Sequence, residues 1–300
     1  MSKKNPRLGS LVIVGTGIQG PGHITLESRS YLQTADKLLY LVADPVTDHY
    51  LRKLNRTAED LFDCYAPGKP RIDSYNEMVE RILAEVRKGQ RVCVAFYGHP
   101  GVFVYPSHQS IRRARNEGFR AIMLPAPSAE DCLFADLGMD PGIGCQTFEA
   151  TSFLIRQPRF DTHSLLIIWQ IGATGDLVYT PIRKDTRGLQ VLTDCLLGFY
   201  EPNHQVIIYE ASVYPTCAFR ADTIPLKDLA GARVTGISTL VVPPTSMAPV
   251  NDQIVERLGL DRNLMGKAMM PIKLPGSPRP KSGNRPHPKP RQPKKAISVG

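Results

Sequence analysis

Three hundred residues, 42% of them hydrophobic and 22% charged, can bury a substantial core, which excludes a globally disordered chain and allows two domains. The formal net charge of +9 invites a nucleic-acid reading, yet nine Lys/Arg and no acid fall within 263–300, leaving 28 basic against 28 acidic side chains in 1–262. A neutral body argues against a nucleic-acid-binding fold, and only the basic segment could make such a contact.

In chain order, 10–14 reads as a short β-rich strand, followed by a glycine turn and a helix over about 25–34. A buried strand follows over 38–43, closed by Asp44-Pro45. The apolar spacing of Met78, Val79, Ile82, Leu83 and Val86 predicts an amphipathic helix over 74–87, with Ser74 and Glu77 as a capping box and Gly89 after its end. A strand over 91–96, a helix near 107–116 and a strand near 120–124 complete a βαβα alternation, which calls for a mostly parallel sheet. After Pro125 the pattern restarts. It gives a helix over 128–137 capped by Ser128, a strand over 164–170, a helix over 188–200, and strands over 205–210 and 238–242. These readings divide the chain into α/β domains at 9–124 and 125–262. Residues 263–300, with eight of the 26 prolines, form a disordered basic tail.

The six cysteines are dispersed without a CxxC pair, so reduced and mostly buried thiols are expected rather than zinc ligands or a disulfide framework. His23, His49, His108, His163, His204 and His287 show no metal-ligand spacing, and no metal is expected. No signal-like N-terminus and no apolar run of membrane-spanning length occur, which predicts a cytoplasmic protein without membrane contact.

Two loops carry the chemical signal. Gly15, Gly17 and Gly20 form GxGxxG directly after a strand, where glycine lets the backbone approach a nucleotide-like ligand. A dinucleotide reading gains from Asp44 at the end of the second strand and loses from Pro21-Gly22, which interrupt the helix that would hold a pyrophosphate. A plain strand–helix turn remains open there too. The run Tyr97–Phe103 follows the strand over 91–96 and flanks His99-Pro100 with glycines, a backbone-exposing loop at the carboxyl end of a sheet.

These loops, with the Ala35-Asp36 pair and the Pro125–Pro141 run, resemble the tetrapyrrole methylases, although His99 stands where their second loop usually has an acid. The resemblance covers about 11–141, with a less sharp match beyond. It implies two α/β domains with mostly parallel sheets and S-adenosyl-L-methionine in the cleft between them. By the same resemblance, Gly15, Gly17, Tyr97, His99, Val102, Phe103, Ser128, Ala129, Gln170, Ala211, Ser238 and Thr239 are cofactor-binding. A narrower resemblance, carried by 62–83 and by the later Leu165–Ile171, Tyr209–Ala211 and Ile237–Pro244 runs, is to the borosin peptide α-N-methyltransferases. It implies catalytic roles for Tyr65, Arg71, Tyr75 and Tyr97, a homodimer, and methylation of backbone amides. Residues 263–300 are unlike the substrate segment that fused borosin enzymes carry, so a separate precursor peptide in trans is expected. A tetrapyrrole or other small molecule is the alternative substrate.

The chemistry is demanding because an amide nitrogen's lone pair is delocalised into its carbonyl, so the N–H proton must leave. Tyr75 or Tyr65 is the expected acceptor, with Arg71 favouring the phenolate or stabilising the amide oxygen, and Tyr97 beside the methyl donor.

Overall fold

The computed structural model describes residues 8–180, 186–262 and 264–265; all but Leu264 and Met265 of the segment read as a basic tail lies outside them. The first half builds a five-stranded sheet from β1 (Ser10–Gly15), β2 (Lys37–Leu41), β3 (Glu59–Asp60), β4 (Arg91–Phe96) and β5 (Arg120–Met123), in the order β3-β2-β4-β1-β5. Every pairing is parallel. The helices α1 (Leu26–Thr34), α2 (Pro45–Leu54), α3 (Arg71–Arg87) and α4 (Tyr105–Asn116) make the crossovers. Helices on both faces explain why the central strands are nearly continuous apolar runs. One core joins Ile13 and Val94 to Met78, Ile82 and Ile111 of α3 and α4, and the other joins Val14 and Tyr40 to Leu32 and Leu51 of α1 and α2.

The second half contains α5 (Ala129–Leu137), β6 (Cys145–Glu149), α6 (Ala150–Arg156), β7 (Leu165–Trp169), α7 (Arg187–Leu197), β8 (Gln205–Glu210), β9 (Arg220–Pro225), β10 (Thr239–Val242) and α8 (Asp252–Arg257). Its sheet runs β6-β7-β10-β8-β9. Here the expectation of a mostly parallel sheet gives way. Only β6 and β7 pair in parallel, while β10 runs antiparallel to β7 and β8, and β9 antiparallel to β8. Strands β8 and β9 are joined without a crossover helix, and that connection forces antiparallel pairing. Each hydrophobic cluster draws on one half of the chain alone.

Several local readings change. Asp44 and Pro45 open α2 instead of merely closing a strand: the Asp44 carboxylate accepts from Thr47 N at 2.8 Å and Pro45 takes the first helical position. Helix α3 begins at Arg71, so Ser74 is one turn inside it and cannot be its cap. The Ser74 hydroxyl is buried, and Glu77 pairs with Lys69. Ser128 does cap α5, in a capping box completed by Asp131. All six thiols are free, but only Cys64 and Cys93 are fully buried.

Gly15 and Gly17 also acquire a different reason for being glycine. The loop after β1 exchanges hydrogen bonds with the loop after β4: Gly17 N donates to Gly98 O at 3.2 Å and Gly98 N to Gly17 O at 3.0 Å. A Cβ on Gly15 would lie 2.2 Å from Gly98 O and 2.6 Å from Ala126 Cβ. The glycines therefore serve backbone-on-backbone packing of two loops. Gly15→Ala is expected to destabilise the protein by about 1–3 kcal/mol through overpacking, read as a lower denaturation midpoint; an unchanged midpoint would contradict this packing.

Candidate active site

A cavity of about 850 Å³ opens at the carboxyl ends of β1, β2 and β4 and is closed from the other side by the second half of the chain. This is where open parallel sheets receive ligands. The first half contributes Ile18, Leu41–Ala43, Tyr65, Tyr75 and the loop from Tyr97 to Val104; the second contributes Ser128–Glu130, Thr147–Glu149, Trp169-Gln170, Ala211, Gly236-Ile237 and Thr239. Of the expected cofactor residues, Tyr97, His99, Val102, Phe103, Ser128, Ala129, Gln170, Ala211 and Thr239 line it. Gly15, Gly17 and Ser238 do not. The two glycines lie behind the wall, and Ser238 is fully buried under it.

The lining suits a nucleoside carrying a cationic centre better than a dinucleotide. Glu130 brings a carboxylate, that of Glu149 being taken up as the cap of α6, and no Lys or Arg is among the lining residues, so nothing there would neutralise a pyrophosphate. Gly20 opens a four-residue 3₁₀ turn, too short to aim a helix N-terminus at phosphate, and Asp44 is committed to α2.

Strain marks the same place. Three described non-glycine residues have positive φ, and two line the cavity: Phe103 at +56° and Gln170 at +59°. Such conformations cost on the order of 1–3 kcal/mol and persist where the surroundings demand them. Phe103 sits at the tip of its loop with its ring 6.3 Å from that of Trp169 across the cavity, while Trp169 donates its indole N–H to Thr147. His99 stiffens the loop by accepting from Gly101 N at 3.0 Å.

One end of the cavity is aromatic. Tyr65 stacks on Tyr179 at 4.9 Å and meets Tyr75 edge-on at 6.3 Å, and Tyr75 stacks on Tyr105 at 6.0 Å. The Tyr75 phenol is an electrostatic neighbour of Tyr65 on one side and of Arg71 on the other. Arg71 lies outside the lining and donates from Nη2 to Asp176 at 2.9 Å. Sequence reasoning missed Asp176 and Tyr179, 105 and 108 positions beyond Arg71, because no local pattern announces a partner at that distance. They arrive on a short extended segment that pairs with the approach to α3. Gly68 N donates to Tyr179 O, Tyr179 N to Lys69 O and Arg71 N to Leu177 O, at 3.0, 2.9 and 3.0 Å. These bonds supply what Pro70, a cap without a side-chain acceptor, cannot.

Charge states follow from burial. Desolvation pushes the Tyr97 phenol up to about 12, with smaller contributions from Cys132 and Asp44. Tyr65 is also raised, by desolvation first and by Tyr75 second, which outweighs the lowering from Arg71. Burial works against the Arg71 charge, but Asp176 and Tyr75 more than offset it and its pKa is raised. Tyr65 and Tyr97 thus hold their protons more tightly than a free tyrosine, and at Tyr65 the lowering by Arg71 does not offset burial. Because the native state holds the Tyr97 proton more tightly than the unfolded chain, this contribution to stability is complete below about pH 10 and lost as pH rises toward about 12. Tyr97→Phe is expected to flatten the alkaline fall of the denaturation midpoint over that window; an unchanged slope would contradict the burial account.

Residues 10–222 match the family model described as Tetrapyrrole (Corrin/Porphyrin) Methylases. The chain is 42% identical over 263 residues to the methyltransferase/ribosomally synthesized cyclic peptide dendrothelin A precursor of Dendrothele bispora, covering 86% of this chain and 63% of that one. It is 42% identical over 259 residues to the corresponding omphalotin A precursor of Omphalotus olearius, covering 85% and 62%. The chain thus spans about three fifths of the length of these curated relatives. Among solved structures, uroporphyrin-III-C-methyltransferase from Thermus thermophilus superposes with a TM-score of 0.57 at 20% identity, covering 78% of this chain and 92% of that one. The cobalamin biosynthetic enzyme cobalt precorrin-4 methyltransferase gives 0.54 at 16%, covering 78% and 94%. At those identities the likeness concerns the fold alone. With more than two thirds of its length inside the family model, the chain belongs to the tetrapyrrole methylase family of methyltransferases.

Proposed function

We propose that this protein uses S-adenosyl-L-methionine to methylate backbone amide nitrogens of a peptide. The carrying observation is the Arg71–Tyr75–Tyr65 group, whose two phenols line the same cavity as Tyr97. Kinship with methyltransferase/cyclic peptide precursor proteins supports the substrate class.

When bound, the cofactor supplies an electrophilic methyl on a sulfonium centre. His99, Val102, Phe103, Ser128, Ala129, Gln170, Ala211 and Thr239 would hold it, with Glu130 as compensating charge. As the phenolate, Tyr75 would accept the amide N–H proton and become a neutral phenol, freeing the nitrogen lone pair for the methyl group that the bound cofactor would supply by loss of its S–CH₃ bond. Arg71, held in place and protonated by Asp176, stabilises negative charge on the Tyr75 oxygen or the amide oxygen. Tyr65, a neutral donor, bonds the Tyr75 oxygen, and Tyr97 contributes an aromatic face toward the cation. The small apolar surfaces of Leu41, Phe62 and Val104 favour an uncharged substrate side chain at this end.

Residues 263–300 are themselves a poor substrate segment, rich in Lys, Arg and Pro, so we propose a precursor on a separate chain. A homodimer is also proposed, supported by exposed apolar side chains beside the aromatic cluster: Phe62, Ile72, Leu177 and Val178. No helix of the described residues is long and apolar enough to cross a membrane.

Mass spectrometry of a small apolar peptide co-expressed with the full chain tests the activity: successive methylene mass increments on backbone nitrogens are expected. Tyr75→Phe should lower the rate by about 10²–10⁴-fold with the thermal midpoint near wild type, whereas Arg71→Ala should lower the rate as much and also lower the midpoint, because Asp176 loses its partner. Near-wild-type rates in both would remove this mechanism, and methylation of a tetrapyrrole but no peptide would favour the other substrate class.

A further inference from the structure

Glu210, the last residue of β8, carries out a task that the strand itself does not require. Its Oε1 accepts from Thr235 Oγ1 at 2.8 Å, from Arg220 Nη1 at 3.0 Å and from Ser238 Oγ. Ser238 Oγ accepts in turn from Thr235 N at 2.7 Å, and Arg220 Nη2 donates to Arg233 O at 2.7 Å. The carboxylate thus ties down residues 233–238, the connection that leads into β10 and presents Gly236, Ile237 and Thr239 to the cavity. The backbone ladders already join β8 to β9 and to β10 without it. Two of its three partners lie in the connection, so its placement serves the wall and not the sheet.

The neighbouring wall is fitted against the same connection. Ile171 N donates to Ser238 O at 3.1 Å, and a Cβ on Gly172 would lie 2.0 Å from Thr235 O. Gln170, in its left-handed conformation, immediately precedes that contact. A shift in 235–238 would therefore reach Gln170 as well. The Glu210 side chain is 15% exposed and Ser238 is fully buried, so loss of the carboxylate would leave a buried hydroxyl without its acceptor.

We propose that Glu210 is the positioning residue for the cofactor wall, setting affinity for the nucleoside cofactor through Thr235 and Ser238 without touching it. This rests on the cofactor reading above.

The test is calorimetric titration of the full chain with S-adenosylhomocysteine. Glu210→Gln is expected to weaken binding at least about tenfold, the scale of one charge-assisted hydrogen bond. Thr235→Val should weaken it severalfold, and Thr235→Ser, which keeps the hydroxyl, should restore it. A merely structural role would instead let the isosteric valine bind as well as serine, with only the thermal midpoint moving. Wild-type affinity in folded Glu210→Gln and in Thr235→Val overturns the proposal; if Glu210→Gln does not fold, the valine–serine pair decides alone. Absence of binding by the wild-type chain overturns the cofactor reading, and this inference with it.

Discussion

The short ladder between 68–71 and 177–179 is the constraint on which the site rests. Helix α3 starts with a proline cap that has no side-chain acceptor, which leaves its first backbone N–H groups in need of other partners. The backbone of 177–179 fixes it, and Asp176 holds the guanidinium of the first helical residue. The Asp176 side chain is 11% exposed and that of Arg71 30%, so water screens this pair less than a surface salt bridge. Removing either partner would leave a charge partly buried and unpaired. One turn later on the same helix stands Tyr75, with Tyr65 packed between it and Tyr179. The aromatic end of the cavity is thus assembled jointly by both halves of the chain.

The opposite walls are built on a different principle. Regular strands deliver their ends to one level, and the loops beyond them are forced into close contact. Glycine at positions 15, 17 and 98 permits that contact, while Phe103 and Gln170 meet it by adopting a conformation costly for their types. The rigid sheets bear the strain, which leaves the cavity with little freedom to collapse.

The sequence made some of this readable for physical reasons. Strands β1, β4 and β8 stood out because burial on both faces produces unbroken apolar runs, and α3 because its apolar stripe recurs at helical spacing. Helix α2 escaped notice because Asp44-Pro45 read as the end of a strand and not as the cap and first residue of a helix. Strand β9 escaped for a related reason: at the edge of its sheet it exposes Ala221, Asp222 and Thr223, and it reads as a loop. Family resemblance brought the loop residues into view, and most of them do line the cavity. It could not show that Ser238 and the glycines work from behind the wall, since motif position carries no information about which way a residue faces. Nor could it reveal Asp176, Tyr179 or Glu210, whose roles exist only once distant segments meet.

The distance along the chain between Arg71 and Asp176 has a consequence for the order in which the molecule comes into being. During synthesis the first sheet can close once β5 has emerged, because all its pairings are local to the first half. At that moment α3 still has an unfinished start and Tyr65 lacks the ring it stacks on. Closing a loop of 105 residues is slow compared with forming a helix or a βα unit, so the aromatic cluster is among the last features to form. A nascent chain therefore passes through a stage in which the first sheet is closed and the aromatic end of the cavity is still incomplete.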